Sequence, residues 1–355
     1  MNSKRNTFLQ TGIICASLFA ACSPLSSRVQ IQLRHPWPWN PEKIASLVSE
    51  GIERVIVRVF QDDEKHGGLY FENSQFRVIK PYLEEFSSQL AGRAELWAWM
   101  MARKFSWSGQ NDLFDYHFFE GRLQRLKRFD LFNPDAVAKV SAVLAELAGK
   151  RIGGILLQDD LVLRHNEGFS NWGRAVFFQR HGFRPDTKEL LQRDSSQNRA
   201  WLQLKTARIN QVLRTYVRAI KSRRPGLPVA MNLYYETPVF EAQSVAWYGH
   251  ELEGILASGL DQVYLMVYHR QIKEEKKLSE AETRRLFQEI VARAAARAGK
   301  KLVVKLQIRD FNNGELLPVS ELRAYLQLLP PEIKICFMSV EEENLSYLRA
   351  VRSGR

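Results

Sequence analysis

Cysteine is scarce: Cys15, Cys22 and Cys336 are the three in 355 residues. There is no CxxC pair, no HExxH helix and no compact His/Cys cluster, so neither a disulfide framework nor a protein-built metal site is expected. No GxGxxG or GxxxxGKS/T loop follows an apolar run, which argues against a phosphate-cradling nucleotide site; no cofactor is expected. Gly/Ser-rich linkers and shifts of composition are also missing, so one large domain is expected. Positive charge is not lacking, since the formal net charge is +12. The basic residues alternate with acids in stretches such as "KEEKKLSEAETRR", as on solvated helix faces, and no nucleic-acid partner is expected. A negatively charged membrane surface would suit the surplus equally well.

The start of the chain, "MNSKRNTFLQTGIICASLFAACS", joins a basic opening (Lys4, Arg5) to an apolar stretch and then to Ala20-Ala21 before Cys22. That is the three-part pattern of an export signal, too short to span a membrane comfortably. "LFAAC" resembles the lipobox of bacterial lipoproteins, with Phe19 in place of the usual aliphatic residue. The expected organisation is a signal peptide over 1–21, a tether over 22–27 acylated at Cys22, and one domain over 28–355; the alternative is a plain secretory signal cut near Ala21. Loss of Lys4 and Arg5 leaves 49 basic residues against 39 acidic ones. Cys336, alone in the apolar run "IKICFMS", is then a small buried hydrophobe.

Short, nearly continuous apolar runs suit parallel strands covered on both faces, and they predict strands at 29–33, 54–60, 95–101, 152–158, 228–234, 261–267, 301–307 and 333–338. Helical patterns lie between them, the clearest from Trp201 to Arg224, ended by Pro225-Gly226. This alternation predicts an α/β fold, a single-domain (β/α)8 TIM-type barrel, with an open doubly wound sheet as the alternative. Two connections, 102–135 and 159–200, are long, and they follow strand ends where barrels build their sites.

Those strand ends are rich in polar residues and aromatics. They read Gln61-Asp62-Asp63, Trp97 and Trp99, Gln158-Asp159-Asp160, Asn232-Leu233-Tyr234, Tyr268-His269 and Gln307-Ile308-Arg309-Asp310. Trp37, Trp39, Trp107 and Trp172 fall in expected loops, where each could equally serve packing. Sugars ask for this mixture, because their hydroxyls bond carboxylates and amides while their C–H faces stack on rings. An isolated Asp-Asp pair is often a helix cap, but Asp159-Asp160 opens a long loop carrying Glu167, which favours chemistry. Adjacent carboxylates raise one another's pKa, as a proton donor requires, yet they cannot flank one sugar ring. The pair therefore suits a substrate-assisted route, with one aspartate as acid and the other orienting a 2-acetamido group that acts as nucleophile. Replacing either aspartate with Asn is expected to lower turnover by at least about a hundredfold and leave the fold intact.

The stretches "GGILLQDDLVLRHNEGF", "WLQLKTARINQVLR", "AMNLYYETPV", "LDQVYLMVYH" and "VVKLQIRDF" resemble the C-terminal glycoside hydrolase domain of PgaB-type poly-β-1,6-N-acetyl-D-glucosamine processing lipoproteins, glycoside hydrolase family 153-like. "GGLYFENSQFRV" and "RFDLFNPDAV" extend the resemblance, which also includes a helix start at Lys205-Thr206. It implies Asp159 and Asp160 as catalytic carboxylates, with Glu167, Asn232, Tyr234 and Tyr268 on the sugar cleft; Trp99, Asp62 and Gln307 complete the expected binding set. His165-Asn166 and Met231 depart from the family's acidic residues and arginine, and no deacetylase activity is expected. The implied function is a lipid-anchored endoglycosidase on the periplasmic side of the outer membrane. It would hydrolyse partially de-N-acetylated β-1,6-linked N-acetylglucosamine exopolysaccharide in biofilm processing and export. Its expected partners are the amino-sugar polysaccharide, an outer or inner membrane through the lipid, the export machinery and a separate deacetylase. The alternatives are a non-catalytic polysaccharide guide and a hydrolase of another amino-sugar polymer such as peptidoglycan. For a cationic glucosamine polymer the groove itself is expected to be acidic.

Acylation at Cys22 predicts that the protein partitions with membranes, and that Cys22→Ala releases or mislocalises it. Fractionation of cells expressing the two forms checks this. Unchanged membrane retention of the variant would count against the lipid anchor.

Overall fold

The computed structural model describes residues 29–34 and 51–353, so the expected signal peptide, tether, Cys22, Trp37 and Trp39 lie outside the described residues. The strands in chain order are β1 (Val29–Leu33), β2 (Ile52–Arg58), β3 (Phe60–Gln61), β4 (Gly68–Leu69), β5 (Glu95–Met100) and β6 (Phe114–Phe119), followed by β7 (Arg122–Phe129), β8 (Gly154–Leu157), β9 (Val229–Tyr234), β10 (Gln262–Met266), β11 (Leu302–Gln307) and β12 (Lys334–Val340). Eight of them, β1-β2-β5-β8-β9-β10-β11-β12, close into a parallel barrel surrounded by helices. These are the eight strands expected from the apolar runs, and no boundary differs by more than two residues.

The period of two along each strand sorts side chains between two cores. Outward residues such as Val55, Ala98, Ile155 and Leu265 join the shell packed under the helices. Inward residues Ile56, Trp97, Leu156, Ala230, Tyr264, Val303 and Cys336 form a separate buried layer across the barrel, with Trp99 packed against it. Cys336 is a free, buried thiol. At the N-terminal end of the strands this layer rests on Arg54. The guanidinium lies 3.8 Å from the centroid of the Trp97 ring. It donates to Glu95 (2.8 Å), Gln262 (2.8 Å) and the Tyr264 hydroxyl (2.9 Å). Buried charge is tolerated there because every neighbour accepts from it.

Two connections hold structure that apolar periodicity does not show. Antiparallel β6 and β7 form a hairpin in the 102–135 segment, turning at Glu120 (φ 49°) and Gly121 (φ 76°). Positive φ at both central residues gives a turn whose twist matches the strands. β3 and β4 make a smaller hairpin after β2. The helix placed at Trp201–Arg224 spans Ser196–Arg223, capped by the Ser195 side chain accepting from the Asn198 amide. Lys205 and Thr206, expected at its start, are therefore internal and buried. The polar run "SQNRA" has no apolar rhythm to reveal the first turns.

Gly154 stands beside Trp97 in the β5–β8 register, and a Cβ on it would come within 2.2 Å of the indole ring. Gly154→Ala is expected to destabilise the barrel by about 1–3 kcal/mol through overpacking. Urea unfolding measures this, and an unchanged midpoint would show that the indole can move aside.

Candidate active site

Strands β5 and β8 are neighbours, so the segment leaving β5 runs beside the end of β8. The Asp160 carboxylate accepts the backbone N–H groups of Ala102 (2.9 Å), Arg103 (2.8 Å) and Lys104 (2.6 Å). Burial pushes this carboxyl above the ordinary range, the three amides pull against that, and the charge of Asp159 adds to the rise. Asp160 thus ties two strand ends together, rather than capping a following helix.

Arg103, fully buried, extends the tie. Its guanidinium donates to the Phe129 carbonyl (2.8 Å), the Val162 carbonyl, Asp115 (2.6 Å) and Glu167 (2.5 Å). Arg128 donates to the other oxygen of Glu167 at 3.0 Å. Burial works against the Glu167 charge, but Arg103 and Arg128 outweigh it and hold the carboxyl below its usual range. Glu167 is only 2% exposed and has both oxygens committed, so it supports the loop instead of lining the cleft. The sequence could not show this, because the arginines lie 64 and 39 residues away.

Asp159, one residue before the buried anchor, has the opposite environment and remains partly exposed. The Tyr234 hydroxyl donates to its Oδ2 at 3.1 Å, and the Tyr234 ring stacks on Tyr248 with centroids 4.0 Å apart. Burial, followed by the Asp159 charge, raises the Tyr234 phenol so that it stays a donor. The same charge acts on Tyr268 at the end of β10 and on Lys305 of β11, so the carboxylate sits among the ends of β8, β9, β10 and β11. Tyr268 donates to the Met338 sulfur at 2.7 Å and meets Phe311 edge-on at 5.2 Å; Phe311 is 46% exposed.

Lys305 was not anticipated as a site residue. It is 1% exposed and donates to Asn232 Oδ1 at 2.9 Å, with Nζ 5.6 Å from the centroid of the Trp99 ring. Burial pushes its ammonium down to about 8, against the pull of Cys336 and Asp159. The signal was a lysine in the apolar run "LVVKLQ", two residues after an inward valine. Gln307 donates to the Arg309 carbonyl at 2.8 Å. Gln158 Oε1, Asn232 Nδ2, Trp99 Nε1 and Gln307 Oε1 are buried without a hydrogen-bond partner. These four lie near the C-terminal ends of β5, β8, β9 and β11.

Of the expected set, Asp159, Asn232, Tyr234, Tyr268, Trp99 and Gln307 occupy strand ends at this mouth. Asp62 sits between β3 and β4, paired with Lys104 at 2.9 Å. Trp107 packs against Phe76 and Phe105, whereas Trp172 is 47% exposed. The groove expected to be acidic is mixed in sign, with Lys104 and Lys305 beside Asp62 and Asp159. A cavity of 830 Å³, lined by residues including His165, Phe240 and Trp247, contains none of the expected site residues. Among the described residues no group of three His, Cys, Asp or Glu could hold a metal ion, and no helix is long and apolar enough to cross a membrane.

The family described as "GHL13: Hypothetical glycosyl hydrolase family 13" matches residues 42–332. Among solved structures, the PgaB (BpsB) glycoside hydrolase domain from Bordetella bronchiseptica superposes with a TM-score of 0.72 at 23% identity, covering 92% of this chain and 98% of that one. The β-galactosidase from Rahnella sp. R3 gives 0.64 at 12% identity, covering 92% of this chain and 56% of that one. The β-galactosidase from Marinomonas ef1 gives 0.63 at 12% identity, covering 88% and 53%. The chain thus spans about half the length of these galactosidases. These likenesses show the barrel fold. No curated protein matches the chain.

The two aspartates should respond differently to amidation, a correction to the expectation that both Asn variants keep the fold unperturbed. Asp160→Asn turns an NH2 group toward backbone donors and should lower stability by about 1–3 kcal/mol. Arg103→Met takes the cation from buried Asp115 and leaves Glu167 with Arg128, and it should lower stability by about 3–5 kcal/mol. Chemical denaturation of both variants checks this; wild-type midpoints would contradict the anchoring role.

Proposed function

The chain belongs to the hypothetical glycosyl hydrolase family 13, and from that premise we propose that this glycoside hydrolase is an endoglycosidase of β-1,6-linked, partially de-N-acetylated N-acetylglucosamine exopolysaccharide. The observation that carries the reading is the unlike treatment of the two carboxylates: Asp160 spent on three amides, Asp159 partly exposed under a tyrosine hydroxyl. Glycosidic cleavage needs an acid for the leaving oxygen and a second group at the anomeric carbon. With Asp160 committed, the sugar's own 2-acetamido oxygen is the second group. Protonated Asp159 gives its proton to the glycosidic oxygen as the C1–O bond breaks, and the acetamido oxygen bonds to C1. Water then adds at C1, reopening that ring and returning a proton to Asp159. Asp160 is a positioning residue that keeps its neighbour in place. Exposed Phe311 beside Tyr268 offers a ring on which a sugar face can stack.

We extend the proposal to place and partners. Lipid on Cys22 would hold the barrel at the periplasmic side of the outer membrane, where polymer passes between a separate deacetylase and the export machinery in biofilm formation. The basic opening and the "LFAAC" ending support this part.

Asp159→Asn is expected to lower turnover of defined β-1,6-linked oligosaccharides by at least about a hundredfold, the lower range for losing a general acid. Its unfolding midpoint should match the wild type, unlike that of Asp160→Asn. Substrates with good leaving groups, which need no proton, should partly restore cleavage by Asp159→Asn. Mass analysis of products reads the result, and near-normal cleavage by the variant would end the assignment.

A further inference from the structure

The 830 Å³ cavity opens between the connections that follow β8 and β9, and no step of the reaction described above uses it. Its volume falls within the range of about 300–1,000 Å³ typical of sites for small organic ligands. Two rings, Phe240 and Trp247, line it, and the Trp247 indole is 49% exposed. A half-exposed indole forgoes burial, and tryptophan is among the side chains that strengthen an interface most when a ligand covers them. The His165 ring meets Trp247 in a T-shaped contact, centroids 4.8 Å apart, which braces the indole. Charge in the lining balances: Arg193 and Arg199 are matched in number by Asp194 and Glu241. Glu241 is further paired with Arg297 at 2.5 Å, and Arg199 donates to the Asp194 carbonyl at 2.5 Å. Burial, then the charge of Lys205, holds the His165 imidazole below its ordinary range, so it is neutral at neutral pH. Such a lining selects by ring contact and hydrogen bonds, which fits a sugar better than a phosphorylated headgroup or an acidic peptide.

The cavity is also joined to the acid. Trp247 precedes Tyr248, whose ring stacks on Tyr234, and the Tyr234 hydroxyl lies 3.1 Å from Asp159 Oδ2. His165 belongs to the connection that Asp159 opens. Two bonds hold the β8 and β9 connections together: the Leu163 N–H donates to the Tyr248 carbonyl at 3.0 Å, and His250 Nε2 meets the Leu161 carbonyl at 2.8 Å. Three rings, Tyr234, Tyr248 and Trp247, thus lead from the acid to the cavity across a braced wall. Phe311 stands elsewhere on the rim, after β11, so Trp247 is a separate platform. We propose that this cavity is a second saccharide-binding site, in which Trp247 stacks on a sugar of the same polymer, several units from the bond that is cut. The inference rests on the glycosidase reading above and adds that long chains are held better than short ones. The first contact raises the local concentration of the rest of the chain at the second. A remote contact made equally in the ground and transition states lowers KM and leaves kcat alone.

Hydrolysis of partially de-N-acetylated β-1,6-linked trimers and nonamers would be compared for the wild-type protein, Trp247→Ala and Trp247→Phe, with unfolding midpoints taken alongside. Calorimetry on the same three proteins carrying Asp159→Asn measures binding of the uncut oligomers. Without the Trp247 changes, the nonamer should bind at least about tenfold more tightly than the trimer. Trp247→Ala should raise the nonamer KM and weaken nonamer binding by about tenfold, with kcat unchanged and the trimer values within about twofold. Trp247→Phe, which keeps a ring, should recover most of the loss. Equal affinity for the two oligomers, equal effects of Trp247→Ala on both, a fall in kcat alone, or no binding of either would overturn the second site. Nonamer binding that depends on Trp247, without cleavage of either oligomer, would support the second site and overturn the hydrolase reading. Cleavage of both oligomers regardless of Trp247 would do the reverse, so the two fail separately.

Discussion

Three consecutive backbone amides donate to one carboxylate, Asp160, and the mouth of the barrel depends on that contact. The amides belong to the segment leaving β5 and the carboxylate to the end of β8. The contact therefore sets where two long connections begin. Arg103 lies within the same amide run, and its guanidinium carries the constraint to the β6–β7 hairpin through Asp115 and to the following loop through Glu167. A buried arginine is favourable only when its donors are met, and here two carboxylates and two carbonyls meet them. The neighbouring residue, Asp159, inherits a fixed position and accepts the Tyr234 hydroxyl on Oδ2.

The barrel holds a cation at each end of its interior, and the two are handled differently. Arg54 at the N-terminal end is paired with Glu95, an arrangement that stabilises and offers nothing to a ligand. Lys305 toward the C-terminal end has an amide oxygen for a partner, and burial lowers its pKa to about 8. The contrast follows the division of labour in this fold, with stability on the lower face and chemistry on the upper.

Much of this was legible in the residues. Eight apolar runs marked eight strands because strands covered on both sides carry apolar residues at nearly every position. The strand ends were legible as well, since amides, carboxylates and tyrosines stand out after such runs. The β6–β7 hairpin was not. Its exposed strand "RLQRLKRF" carries four cations, and a ribbon largely open to solvent needs no apolar stripe. The first turns of the Ser196–Arg223 helix escaped for the same reason, being polar and held by a single serine cap.

The barrel, its strand boundaries and the ring of residues at the strand ends follow from the residues alone, through local alternation and the points where apolar runs stop. What each of those residues does is set by contacts between distant segments. Past the end of β8 successive side chains turn opposite ways, so Asp159 meets the mouth while Asp160 turns to amides 56 to 58 residues earlier in the chain. Lys305 and Asn232 are 73 residues apart and meet because β9 and β11 flank β10 and both side chains turn into the barrel. Pairings at that range depend on strand order in the sheet, and local pattern does not encode them.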